Sequence, residues 1–174
     1  MPAIYVSRER EQIEVYRFSP PVALGIPLAA VLLQAFVPVR LPFFGIFDLP
    51  LLVTIYFAVA RRKQVVGLLT GSAIGLLQDS LTHQPIGLFG IAKTVVGYVA
   101  SSIGAKIDVD NPGSRVLIIF GFYLLHQLVY FAVARGLAEQ TLNWRWGHQA
   151  MAALANALLG MLLFYLLDKF RQRA

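Results

Sequence analysis

Six apolar stretches, separated by short polar or basic segments, organise the chain. A membrane-crossing helix needs about 20 mostly apolar residues, because each adds about 1.5 Å of rise. The first stretch runs from Pro20 to Val39. Pro20 and Pro21 suit a helix start, where a missing N–H costs nothing, and Pro27 predicts a kink inside the span. The second runs from Phe43 to Ala60. Asp48 and Pro50 set the start of its regular helix at Asp48, with Asp48 as N-cap. That leaves a short helix of 13 residues ahead of the basic stop at Arg61, with Leu41–Phe47 as a re-entrant or interfacial piece. The third runs from Val65 to Leu81, the fourth from Pro85 to Ala105, the fifth from Arg115 to Ala138 and the sixth from Gln149 to Leu167. The predicted fold class is an all-α integral membrane protein, a compact bundle of six transmembrane helices. A polar segment (1–19) precedes the membrane domain (20–168), and a basic tail (169–174) follows it. The first 19 residues lack the apolar core of a cleavable signal peptide, so none is expected.

Charge orients this arrangement. With the N-terminus inside, the inner segments carry Arg8, Arg10, Arg17, Arg61, Arg62, Lys63, Lys106, Arg115, Lys169, Arg171 and Arg173, eleven of the 15 basic residues. Only Arg40, Arg135 and Arg145 fall outside, and Lys93 lies within a span. Basic residues concentrate on the cytoplasmic side of membrane proteins, so both termini are expected in the cytoplasm. Trp144 and Trp146 fall at the outer edge, where interfacial aromatics belong.

Composition agrees. Of 174 residues, 57% are hydrophobic and 14% charged, against about 25% charged in a soluble domain. Mean hydropathy is +0.66. A soluble fold of this size could not bury so much apolar surface, whereas a bilayer solvates it. The net charge of +6 would suggest nucleic acid in a soluble protein. Here the basic residues end apolar stretches and face lipid headgroups, so the bilayer is the expected partner and nucleic acid is not. The absence of cysteine excludes disulfides, thiol catalysis, Cys-based zinc sites and iron–sulfur clusters.

Two spans carry most of the candidate chemistry. Gly67, Gly71 and Gly75 repeat every four residues on the third, so they share a face that admits another backbone closely. That face serves either an internal helix contact or a seam with another membrane protein. Asp79 continues the progression at the outer end. On the fourth, Gly90, Gly97, Ser101 and Gly104 form a second small-residue face, which also holds Lys93. A charge at that depth costs about 2.5–3.5 kcal/mol unless it snorkels or pairs. The candidate partner is Asp79, about 9 Å nearer the outer surface if the hairpin is symmetric. A snorkelling Lys93 and a ligand or proton role are the alternatives. His126 and Gln127 on the fifth span and Asn156 on the sixth are expected to form interhelical hydrogen bonds. His83 and His148 are expected in solvated outer loops. No catalytic or phosphate-binding motif appears, no residue set suggests a metal or cofactor site, and no enzymatic activity is expected.

The segment from Asp48 to Lys106 resembles the rod shape-determining protein MreD family. The resemblance rests on Asp48-Leu-Pro-Leu-Leu, the run from Gly67 through Gly71, Gly75-Leu-Leu and Asp79, the Pro85-Ile-Gly-Leu-Phe-Gly turn, and Val96-Gly-Tyr. It implies a multi-pass subunit of the bacterial cell-elongation machinery in the inner membrane. That subunit would bind the single-span protein MreC and work indirectly with actin-like MreB, with RodA and with RodA's transpeptidase partner. It would help organise lateral peptidoglycan synthesis. The resemblance also implies a fold similar to the substrate-binding components of energy-coupling-factor transporters. The glycine faces of the third and fourth spans are candidate surfaces for MreC. The alternative function is a small-molecule-binding membrane component of a transporter, with an outward cavity lined by Asp79, Lys93, His126 and Asn156.

Overall fold

The structure, a computed structural model, describes residues 16–104, 111–170 and 172–173. Of the residues used above, Arg8, Arg10, Ala105, Lys106 and Arg171 lie outside the described residues, as does most of the polar N-terminal segment. The described chain is mainly helical, with two-residue strands β1 (Tyr16–Arg17) and β2 (Gln172–Arg173) at its ends. Its α-helices are α1 (Pro20–Arg40), α2 (Leu49–Arg61), α3 (Gln64–Leu81), α4 (Leu88–Gly104), α5 (Pro112–Gly136) and α6 (Trp146–Leu167). A short 3-10 helix, Pro42–Ile46, fills the segment ahead of α2.

Among the described residues, four helical segments are long and apolar enough to cross a membrane: Pro20–Arg40, Pro42–Arg61, Pro112–Gly136 and Trp146–Phe170. The second counts only because the 3-10 turn extends α2, whose own 13 residues rise about 20 Å. The two remaining helices, α3 and α4, have 18 and 17 residues and pack as a tight hairpin. α4 begins at Leu88, three residues later than the hydropathy suggests. The delay is local chemistry: Gly87 has φ +107°, and the Asp79 carboxylate holds the amides that open the helix. α5 begins earlier than expected, at Pro112, with Asn111 as N-cap accepting from Gly113 N–H at 2.9 Å. α1 continues through Pro27 and Pro38.

α2 occupies the centre. Every residue from Leu49 to Ala60 is buried, and the helix touches all five other α-helices. Its sequence explains this, because a helix apolar on every face can be covered on every face. α1 and α5 instead turn much of their length outward. β1 pairs antiparallel with β2, matching Tyr16 to Arg173 and Arg17 to Gln172, so the two ends of the bundle meet on one side.

Candidate functional site

The polar residues of four helices converge on the start of α2. Asp48 caps α2, its Oδ1 accepting from Leu51 N–H at 2.9 Å. Its Oδ2 accepts from Lys93 Nζ on α4 at 2.8 Å. Its own N–H donates to Asn156 Oδ1 on α6 at 2.9 Å. Asn156 Nδ2 donates back to Ile46 O at 2.8 Å and to Ala152 O at 2.9 Å, which ties the 3-10 turn to α6. On α5, His126 Nε2 stands 3.3 Å from Lys93 Nζ and 3.8 Å from Asp48 Oδ2. Lys93, His126 and Asn156 are fully buried, and Asp48 is nearly so. Gln34 on α1 adds a further tie, its Oε1 accepting from Leu49 N–H at 3.1 Å.

This convergence follows from depth. Counted along their helices from one end of the bundle, Asp48 lies thirteen residues from Arg61, Lys93 eleven from Gly104, His126 eleven from Arg115 and Asn156 twelve from Asp168. At about 1.5 Å per residue all four stand about 16–20 Å from that end, on one level of the bundle. A broken helix is tolerated at that depth only where protein covers its freed backbone groups. The Asn156 and Gln34 amides supply that cover. Phe89 closes another side: its ring centre is 4.6 Å from Lys93 Nζ, and it stacks on His126 and Tyr130.

The expected Asp79–Lys93 pair is not what forms. Asp79 is fully buried and spends its carboxylate on backbone amides. Oδ2 accepts from Gly87 and Gly90 N–H at 2.8 and 3.1 Å, and Oδ1 from Phe89 N–H at 2.9 Å. The first amides of a helix have no partner within it, and a negative charge there also meets the positive end of the helix dipole. Asp79 therefore caps α4 from the neighbouring helix, and Lys93 turns inward to Asp48 rather than snorkelling outward.

The glycine faces of α3 and α4 meet each other. A Cβ on Gly67, Gly71 or Gly75 would strike the α4 backbone at Gly97 O, Lys93 O or Phe89 O, and one on Gly97 would strike Gly67 O. Ser101 Oγ donates to Gly97 O at 2.8 Å on the same seam. Gly90 faces Leu76, and Gly104 faces Val59 of α2. Consumed inside the bundle, these faces are not free to receive MreC. Gly160 admits Ile119 and Leu52 in the same way, a contact the sequence reading missed. Also missed was a second polar network: Tyr56 donates to Asp168 Oδ1 at 3.1 Å, and Arg115 pairs with Asp168 Oδ2 at 2.8 Å. His83 and His148 are exposed, and Gln127 donates to Tyr123 Oη within α5.

The arrangement holds helices in register, and among the described residues Asp48, Lys93, His126 and Asn156 are all buried. Among the described residues, no group of three or more His, Asp or Glu side chains could hold a metal ion. A groove of about 360 Å³ between α4 and α5 is apolar, lined by residues such as Val99, Ile103, Leu117, Gly121 and Phe122.

Comparison with curated proteins gives no match, and neither does comparison with solved structures. A family model described as rod shape-determining protein MreD matches residues 16–173, nearly the whole chain. The chain belongs to the rod shape-determining protein MreD family, and with it to the membrane components of the rod-shape system.

Proposed function

We propose that this protein is a non-enzymatic scaffold of the cell-elongation complex in the bacterial inner membrane. It crosses six times with both termini in the cytoplasm, binds MreC, and so helps organise lateral peptidoglycan synthesis with MreB, RodA and RodA's transpeptidase partner. Residues 20–168 form the membrane domain on this reading. The observation that carries it is the closed polar centre. Asp48, Lys93 and Asn156 are spent on one another and on backbone groups, as expected of a rigid body that offers its outer surface to partners. The pairing of β1 with β2 supports an even number of crossings. At about 27 and 26 Å, α3 and α4 are long enough to complete six. The eleven inner basic residues support cytoplasmic ends.

A transporter component similar to those of energy-coupling-factor systems would need polar groups free to meet a ligand. Asp79 is committed to α4, and Lys93 to Asp48, so the geometry favours the scaffold. Affinity purification of the tagged protein from gently solubilised membranes tests the choice. MreC is expected as a stable companion. Recovery of a transport ATPase without MreC would overturn the proposal.

A further inference from the structure

The connection between α5 and α6 bounds a cavity of about 520 Å³, lined by Arg135, Glu139, Gln140, Thr141, Leu142 and Asn143. Small-molecule sites commonly run to about 300–1,000 Å³. Backbone bonds shape the cavity. Past the end of α5 the amides of Ala138 and Gln140 turn back onto Val133 O and Ala134 O, at 3.3 and 3.0 Å. That turn puts Glu139 at φ +51°, a left-handed conformation that favours glycine. Arg135 lies over the Phe131 ring, 5.7 Å from its centre. Phe131 in turn packs edge-on against Trp144, and Trp144 against Trp146. A guanidinium stacked in this way keeps its in-plane N–H donors free for a carboxylate or phosphate. Neither Arg135 nor Glu139 forms an ion pair among the described residues.

We propose that this cavity holds the headgroup of a zwitterionic phospholipid, with its phosphate on Arg135 and its primary ammonium on Glu139. The charges select the ligand. One cation and one anion share the cavity unpaired, so an anionic ligand would face Glu139 and a cationic one Arg135, whereas a zwitterion meets both. A primary ammonium offers N–H donors to the carboxylate, and a quaternary one has none. The Gln140 and Asn143 amides and the Thr141 hydroxyl supply donors for the remaining phosphate oxygens. The position selects the source. α5 and α6 belong to segments long and apolar enough to cross a membrane, so their connection meets its surface, where tryptophans gather.

Trp144 and Trp146 are the chain's two tryptophans, so intrinsic fluorescence reports this region alone. The full-length protein in nonionic detergent is titrated with short-chain phosphatidylethanolamine, phosphatidylcholine or phosphatidylglycerol, and with free phosphoethanolamine. A saturable change with phosphatidylethanolamine is expected. Its affinity should be at least about tenfold tighter than for the other two lipids, the worth of one charge-assisted hydrogen bond, and tighter than for free phosphoethanolamine. Arg135→Gln and Glu139→Gly should each weaken it by a similar factor. Glu139→Gly should also leave the unfolding midpoint unchanged or raise it, because glycine suits φ +51°. Equal affinity for phosphatidylcholine, phosphatidylglycerol or free phosphoethanolamine would overturn the proposal, as would wild-type binding by either variant or no saturable change at all. A midpoint that falls in Glu139→Gly would also overturn it, by making Glu139 a structural residue of the turn.

Discussion

Replacing Lys93 with methionine keeps most of the side-chain volume and removes only the ammonium. Asp48 would then keep its cap on Leu51 and the bond its backbone N–H donates to Asn156, but lose the cation 2.8 Å away. Removing one member of a buried pair typically costs about 3–5 kcal/mol, because the other charge is stranded. The full range applies here, since the side chains of Lys93 and Asp48 are 0% and 10% exposed. It corresponds to about 2.2 to 3.7 powers of ten in the unfolding equilibrium at 1.36 kcal/mol per decade. Asp48→Asn alone strands the ammonium instead and should cost a similar amount, although asparagine still caps α2 well. The double variant, Asp48→Asn with Lys93→Met, has no buried charge and should be at least about 2 kcal/mol more stable than Lys93→Met alone. Equilibrium unfolding in mixed micelles or bicelles reads all four proteins. The reasoning is refuted if Lys93→Met stays within about 0.5 kcal/mol of wild type, or if the double variant is no better than the worse single.

Asp79→Ala should cost about 3 kcal/mol by freeing three amides at the start of α4, and Asp79→Asn less; unfolding curves compare them. Gly71→Leu or Gly97→Leu should prevent accumulation in the membrane, because the new side chain meets backbone across the α3–α4 seam. Gly121→Ala, which meets open space, should be neutral or stabilising by up to about 1 kcal/mol; immunoblots of membrane fractions separate these outcomes. The chain has no cysteine, so single cysteines report topology directly. Thr82→Cys and Asn143→Cys should react with an impermeant maleimide from outside the inner membrane, and Lys63→Cys only after permeabilisation. Protection of Thr82→Cys would leave four crossings rather than six.

The helices and Asp48's capping position were legible because hydropathy, proline placement and N-cap chemistry are local properties. Each polar residue of the centre also stood out singly, as a charge or amide where lipid would not tolerate one. Their wiring was hidden by the choice of reference level. Measured from the α3–α4 turn, Lys93 sits near Asp79. Measured from the basic residues at the opposite ends, it sits level with Asp48, His126 and Asn156. The second measure was available in the sequence, since Arg61 and Arg115 mark those ends. What no local pattern could supply is that three α4 amides would compete for Asp79 and win. The tie from Gln34 had a faint signal as the only polar side chain inside the first apolar stretch.

The central place of α2 bears on how the protein is made. This helix leaves the ribosome before α4, α5 and α6, which complete its enclosure. During that interval lipid must cover faces that the finished protein shields entirely. Those lipids have to depart when the later helices arrive, so the core closes by exchange of lipid for protein rather than by stacking helices in order. Asp48 marks the same interval chemically: it enters the bilayer 45 residues ahead of the lysine that neutralises it.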